Sequence, residues 1–395
     1  MGPFHCPFVS FAISLLAPLT VAVSLPAPSG PYGVGFTQHV FKHTTPNDPT
    51  PGSGTILLTS IYYPTVSTPS PNTSVPYFDP TSAAIWGEVF NIRPSDLLSL
   101  ETVLQWQAPI LPPSEAKHVR HWPTLVFGPG GGMNAFMYTS LLSDLASQGY
   151  TVLALDHPGE APYLPLPYNA SGVVGWSIYM PYNDSLIQQI YEYRLSDMLF
   201  LLSDDGFPSL VEQFGAYFNT RAYGAFGHSA GAAQATGAMD RLSSIVAGLN
   251  IDGGLFGDSV NASLHGRPYF MTMNPDHFAQ DTTWSGFVAR YAEETAKTGK
   301  GWLDWMTVEG TVHLAFSDIS LWVELLPKGN GTDLINLGDV KGSRMDGLLR
   351  TYVGAFWEWV RGGAYDDVLD GEVEAWPEVV FNETVRANGY TTHDK

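Results

Sequence analysis

Short continuous apolar runs alternate along the chain with longer segments whose apolar residues recur at helical spacing. "TILLTSIYYP" reads as an early strand. "PTLVFG" (Pro123 to Gly128) reads as a buried strand, followed by a helix near Ala135 to Gln148. "TVLALDH" (Thr151 to His157) is the next strand, and after a long loop a helix runs from about Asp184 to Ser203. "AYGAFGH" leads into an Ala-rich helix, and "VAGLNID", "RPYFMTM" and "WLDWMTV" follow as strands. A closing helix spans about Arg344 to Val360. Short apolar strands alternating with helices predict an α/β fold, a mostly parallel sheet covered on both faces. Two segments depart from this rhythm and read as inserts, one near residues 77–113 and one near 160–183. The second, rich in aromatics and proline, is longer than an ordinary connection and reads equally as a pocket wall or lid and as a rigid surface loop.

With 395 residues, 44% hydrophobic and only 14% charged, the chain can bury one large core, and residues 25–395 are expected to form a single domain. The net charge of -20 disfavours nucleic acid, anionic membranes in bulk and polyanionic substrates. The first residues carry an apolar run from Phe8 to Val23, too short for a bilayer span, and Ala22-Val23-Ser24 fits a small-x-small cleavage site. Residues 1–24 are therefore expected to be a signal peptide, and the protein to be secreted. Six N-x-Ser/Thr triplets, at Asn72, Asn169, Asn183, Asn261, Asn330 and Asn382, agree with a secretory route and are expected glycosylation sites. The one cysteine, Cys6, falls in that leader, so the mature chain has no thiol chemistry and no disulfide.

Candidate chemistry centres on "RAYGAFGHSAGAAQATGAMD", where a lone serine, Ser229, stands between strand and helix with Gly227 and Gly231 beside it. At so sharp a turn, larger neighbours would collide with the strand or the helix, and glycine removes the collision. The hydroxyl is left above the sheet, with the Ala230 N–H at the helix start placed to receive a developing oxyanion. A second oxyanion donor is suggested by "VFGPGGGMN" (Val126 to Asn134), whose glycines expose backbone N–H groups directly after a strand.

A serine nucleophile needs a base and an orienting acid, here expected in the order serine, acid, histidine. Of the downstream histidines, His393 lies in the polar tail and His265 follows a sequon, while His277 sits in a Pro-flanked turn. His313, in "MTVEGTVHLAFSD", directly follows a strand, in the loop where a base must hang over the serine. Two aspartates end strands within reach, Asp252 in "LNIDGGLFG" and Asp276 in "MTMNPDHF", and position alone does not choose between them. No H-E-x-x-H, EF-hand, P-loop or dinucleotide fingerprint occurs. No metal and no organic cofactor is expected. A non-catalytic binding module on the same scaffold is the rival class, but such modules commonly lack the serine or the histidine that this chain retains.

"AFGHSAGAA", "LNIDGGLFG" and "EGTVHLAFSD" resemble the plasma and intracellular type II platelet-activating-factor acetylhydrolases. "GPYGVG", "SIYYP", "RPYFMTMN" and "GDVKGSRMDGLLRTYVGAFWEW" extend the resemblance from roughly Gly30 to Gly362. The resemblance implies the α/β-hydrolase fold, with Ser229 as nucleophile, Asp252 as acid and His313 as base, and with the Gly131 and Ala230 N–H groups as the oxyanion hole. It also implies a phospholipid-type ester with a short or oxidised acyl chain as substrate; a transient lipid-surface contact is compatible with such a substrate, and no obligate protein partner is inferred. Two departures touch the substrate side: Pro129-Gly130 stands where the family has His-Gly, and "DHPGEAPYLPLPY" lengthens the loop after Asp156. Cutinase-type and polyester hydrolases share the serine and histidine more loosely and would favour Asp276.

Overall fold

The structure, a computed structural model, describes residues 22–46, 48–50, 54–176, 183–327 and 335–387. The expected leader up to residue 21, with Cys6, and the sequon at Asn330 lie outside the described residues. The strands, in chain order, are β1 (Val23–Ser24), β2 (Gly33–Lys42), β3 (Ile56–Thr65), β4 (Ser74–Pro76), β5 (Leu100–Trp106), β6 (Thr124–Gly128) and β7 (Val152–Asp156). They continue with β8 (Tyr163–Leu164), β9 (Val173–Val174), β10 (Tyr223–His228), β11 (Ile245–Ile251), β12 (Tyr269–Met273), β13 (Trp302–Val308) and β14 (Val379–Arg386).

One sheet runs in the order β1-β5-β2-β3-β7-β6-β10-β11-β12-β13-β14, with β4 on β5. The stretch from β7 to β13 is parallel throughout, and antiparallel pairs occur at β2–β3, β3–β7, β13–β14 and β4–β5. Side chains of a strand alternate between faces. Accordingly Leu125 and Phe127 of β6 join one apolar cluster while Val126 between them joins the other. Helices Thr139–Gln148 and Gly342–Val360 cover the first face, and helices Asp184–Leu201, Ala230–Arg241 and Thr283–Thr298 cover the second. The result is the three-layer α/β sandwich expected from the strand–helix alternation.

Two expected segment boundaries fall on strands of the main sheet. After helices Pro80–Phe90 and Pro94–Leu97 the apolar stretch 77–113 supplies β5, which pairs with β1, β2 and β4. Its helical spacing masked a strand of mixed exposure. At the N-terminus, Val23 and Ser24 are built into the sheet edge, with the Val23 N–H donating to Ser99 O at 2.8 Å. Cleavage after Ser24 would remove that strand. The loop 160–183 begins as a small hairpin, β8 against β9, in which Gly172 lies flat against the Tyr163 ring, where a Cβ would come within 2.3 Å. Tyr168 packs on Trp106, so two of the loop's aromatics are engaged locally; Tyr179 and Tyr182 lie outside the described residues. The other sequon asparagines, Asn72, Asn169, Asn183, Asn261 and Asn382, are exposed.

Candidate active site

Parallel strands deliver their carboxyl ends to one edge of the sheet, and loops leaving that edge converge there. Ser229 follows β10, Asp252 follows β11, His313 lies just beyond β13, and Gly131 sits just beyond β6. Neighbouring strands thus bring together residues separated by up to 182 positions (313 − 131).

Ser229 has φ 54° and ψ -125°, a conformation side chains rarely adopt. Three close approaches hold it. A Cβ at Gly227 would come within 2.4 Å of the Gly231 carbonyl, and one at Gly231 within 2.0 Å of Gly128 O. A Cβ at Gly253 would meet Ser229 O at 2.4 Å. The expected collisions are real, and their partners include β6 as well as the strand and helix of the turn itself. The Ser229 N–H donates to Ile251 O at 3.0 Å, which ties the turn to the neighbouring strand.

The Ser229 hydroxyl lies 2.9 Å from His313 Nε2, and His313 Nδ1 lies 2.5 Å from Asp252 Oδ2. Exposure rises along this line: the Asp252 side chain is fully buried while that of His313 is 41% exposed. Asp252 also takes a left-handed backbone, φ 49°. Its Oδ2 accepts from Asn274 Nδ2 (2.7 Å), and its Oδ1 accepts from the Asn274 N–H (2.8 Å) and faces His277 Nδ1 at 3.3 Å. Burial alone would raise this carboxyl, but hydrogen bonds from His277 and His313 outweigh it and hold the group down at about 2. An ionised Asp252 keeps the proton on His313 Nδ1, so Nε2 presents a lone pair to the serine.

Asp276, the other candidate acid, is exposed on the first turn of helix Pro275–Gln280, away from this chain of contacts. The neighbouring residues of its own motif, Asn274 and His277, reach the site instead. In sequence both lie inside a turn signature, which gives no sign that they support Asp252.

His228, beside the serine, is a further residue of the site that its place in a buried strand does not announce. It is fully buried, and burial lowers its pKa to about 3, so the ring is neutral. Its Nε2–H donates to the His313 carbonyl at 3.0 Å, which leaves Nδ1 to accept the Tyr138 hydroxyl at 2.7 Å. Asp252, His228 and His313 are the one group among the described residues with metal-ligand spacing. Asp252 and His313 bond to each other, and both His228 nitrogens have protein partners, which accounts for the spacing without an ion.

The glycine loop after β6 supplies backbone donors. The Gly130 N–H goes to Tyr138, the Gly132 N–H to Glu160 Oε1 and the Met133 N–H to Gly130 O. Of the N–H groups from Gly130 to Met133, that of Gly131 has no such partner among the described residues, and a Cβ there would sit 3.9 Å from that of Ala230. Ala230 opens a 12-residue helix, whose first N–H groups have no intrahelical acceptor. The residues predicted to supply the two donors, Gly131 and Ala230, thus lie close together at the serine turn.

Residues 19–163 match the family described as platelet-activating factor acetylhydrolase, isoform II, which bears out the resemblance drawn from the sequence motifs. A protein of Arthroderma benhamiae, described as a probable 1-alkyl-2-acetylglycerophosphocholine esterase, is 27% identical over 270 residues. That match covers 66% of this chain and 66% of the relative, a little under two thirds of its length. Among solved structures, a ferulic acid esterase from Streptomyces cinnamoneus superposes with a TM-score of 0.70 at 24% identity, covering 92% of this chain and all of that one. Residues 125–376, which run from the glycine loop through serine, aspartate and histidine, match the alpha/beta hydrolase family model, and the chain belongs to that family.

Proposed function

We propose that this protein is a secreted serine esterase that hydrolyses carboxylic esters, with the short or oxidised sn-2 acyl group of a phospholipid as its substrate. The observation that carries the reading is the continuous line from the Ser229 hydroxyl through His313 to buried Asp252, at 2.9 and 2.5 Å. Ser229 attacks the ester carbonyl while His313 Nε2 takes its proton, and the carbonyl oxygen becomes an oxyanion facing the Gly131 and Ala230 N–H groups. Collapse expels the alkoxide, which receives the proton from His313. Water then attacks the acyl-serine, gives its proton to His313, and the acid leaves as the serine is reprotonated. Asp252 stabilises the imidazolium formed at each step. The phospholipid preference is supported by the isoform II match and by the described activity of the Arthroderma relative. Secretion is supported by the apolar N-terminal run and by the exposed sequon asparagines.

The test uses p-nitrophenyl esters and short- and long-acyl phospholipids with the wild type, Ser229→Ala and His313→Ala. Each single variant should lose nearly all turnover, and the double variant should lose no more, because the residues act as a unit. A folded Ser229→Ala protein that still turns over ester would refute the nucleophile. Efficiency rising steadily through long-chain esters would refute the short-acyl reading, since each accommodated methylene is worth up to about 0.8 kcal/mol in an open apolar channel.

A further inference from the structure

Beneath the glycine loop lies an ion pair that the reaction steps do not use. Glu160 and Arg194 are both almost completely buried, and they meet at 2.7 Å through Arg194 Nη2 and Glu160 Oε1 and at 2.8 Å through Arg194 Nε and Glu160 Oε2. What distinguishes the pair is where its remaining hydrogen bonds go. Arg194 Nη1 donates to Pro129 O at 2.6 Å and Nη2 to Gly130 O at 3.0 Å. Glu160 Oε1 accepts the Gly132 N–H at 2.9 Å. The Tyr193 hydroxyl donates to Glu160 Oε2, and Gln234, from the helix behind Ser229, donates to the Arg194 carbonyl at 2.6 Å.

Around Gly131 the backbone is thus tied on both sides. The carbonyls of residues 129 and 130 are held by the guanidinium, the N–H of 132 by the carboxylate, and the N–H of 130 by Tyr138. The N–H of Gly131 is left over. A peptide turn rich in glycine has many accessible conformations, and only some direct that N–H toward the serine. Stability is a poor explanation for the pair, because two buried charges lose their hydration and an apolar pair of similar volume is often as stable. A planar fork that reaches one carboxylate and two carbonyls at once is a geometric device, and lysine, a point charge, cannot reproduce it.

We propose that Glu160 and Arg194 are positioning residues that set the Gly131 N–H in its oxyanion-binding orientation, acting through the loop and not on the substrate. This rests on the esterase reading above. The loop that follows β7 supplies the carboxylate, while the helix Asp184–Leu201 supplies the guanidinium.

The experiment compares wild type, Arg194→Lys and the double variant Glu160→Met/Arg194→Met. The readouts are melting temperature, kcat and KM on p-nitrophenyl acetate, and affinity for an alkyl trifluoromethyl ketone, whose serine adduct needs the oxyanion donors. The double variant is expected to fold, to keep KM within about threefold, and to lose kcat by on the order of 10² to 10³, the range for loss of one oxyanion donor. Ketone affinity should weaken by the same factor as kcat/KM, as it must when a transition-state interaction is lost. Arg194→Lys should not rescue kcat although it keeps the charge. A folded double variant with kcat within about threefold of wild type overturns the proposal, as does rescue by lysine, or a loss of kcat with unchanged ketone affinity. If the double variant does not fold, Tyr193→Phe, which takes one hydroxyl from Glu160, decides: matched falls in kcat and ketone affinity support the proposal, and no change in either overturns it. Failure of the esterase reading itself would be visible first, as a wild type that neither turns over ester nor binds the ketone.

Discussion

Replacing Asp252 by asparagine changes one oxygen to an amide and tests the site at its most constrained point. Every group that faces the carboxylate in hydrogen-bonding range is a donor: His313 Nδ1, Asn274 Nδ2, the Asn274 N–H and, at 3.3 Å, His277 Nδ1. The amide NH2 of the Asp252→Asn variant must therefore point at a donor. The cheapest relief is for His313 to carry its proton on Nε2 and accept the amide at Nδ1, and in that tautomer it cannot take the serine proton. Loss of the charge alone is substantial. At about 4 Å between charge centres and an effective dielectric of about 20, the carboxylate stabilises the imidazolium by roughly 4 kcal/mol, about 10³ in rate. With the tautomer penalty added, the loss should approach the ~10⁴ known for this substitution in a serine protease triad. The assay is kcat on p-nitrophenyl acetate at neutral pH, with circular dichroism to confirm folding. Asp276→Asn, on an exposed helix turn, serves as the control and should lose less than about threefold. A folded Asp252→Asn enzyme within tenfold of wild type, or a larger loss for Asp276→Asn, would refute the reasoning.

Gly231→Ala places a methyl within 2.0 Å of Gly128 O, backbone against backbone, so it should lower the melting temperature and cut turnover together; an unchanged melting curve contradicts the close approach. Burial raises Asp318 to about 7 and Asp156 to about 6, so both stay protonated in the native state at pH values where the unfolded chain has ionised them. Their contribution is complete below about pH 4 and is lost as pH rises through 6 and 7, which for Asp318 is on the order of 4 kcal/mol. The melting temperature should therefore fall from pH 5 to pH 8, and Asp318→Asn should flatten that fall; an identical slope in the variant would count against it. Activity should persist after EDTA treatment, since backbone N–H groups supply the oxyanion stabilisation; a loss restored by one particular metal would contradict this.

Much of this protein could be read from its residues in order. The apolar runs that became β6, β7, β10, β11, β12 and β13 are short and buried on both faces, so their pattern depends little on distant partners. Gly227-His228-Ser229-Ala230-Gly231 was legible as a serine turn, because Gly227 faces Gly231 inside the motif, although the atom that demands a glycine at 231, Gly128 O, lies on β6. Strands outside the parallel run from β7 to β13 were harder. β2, β5 and β14 mix buried and exposed positions, and what makes them strands is the neighbour each pairs with, which lies elsewhere in the chain. The choice of Asp252 over Asp276 was open for the same reason: both follow a strand, and only the packing of β11 beside β10 shows which carboxylate meets His313. The supports of the site were out of reach altogether. Glu160, Arg194, Tyr138 and Asn274 lie on four different segments, and a lone charged or polar residue in a sequence does not say what it will face. Spacing along a chain encodes local conformation, whereas hydrogen bonds between segments depend on the fold that brings them together, and that is where the tertiary structure decided this site.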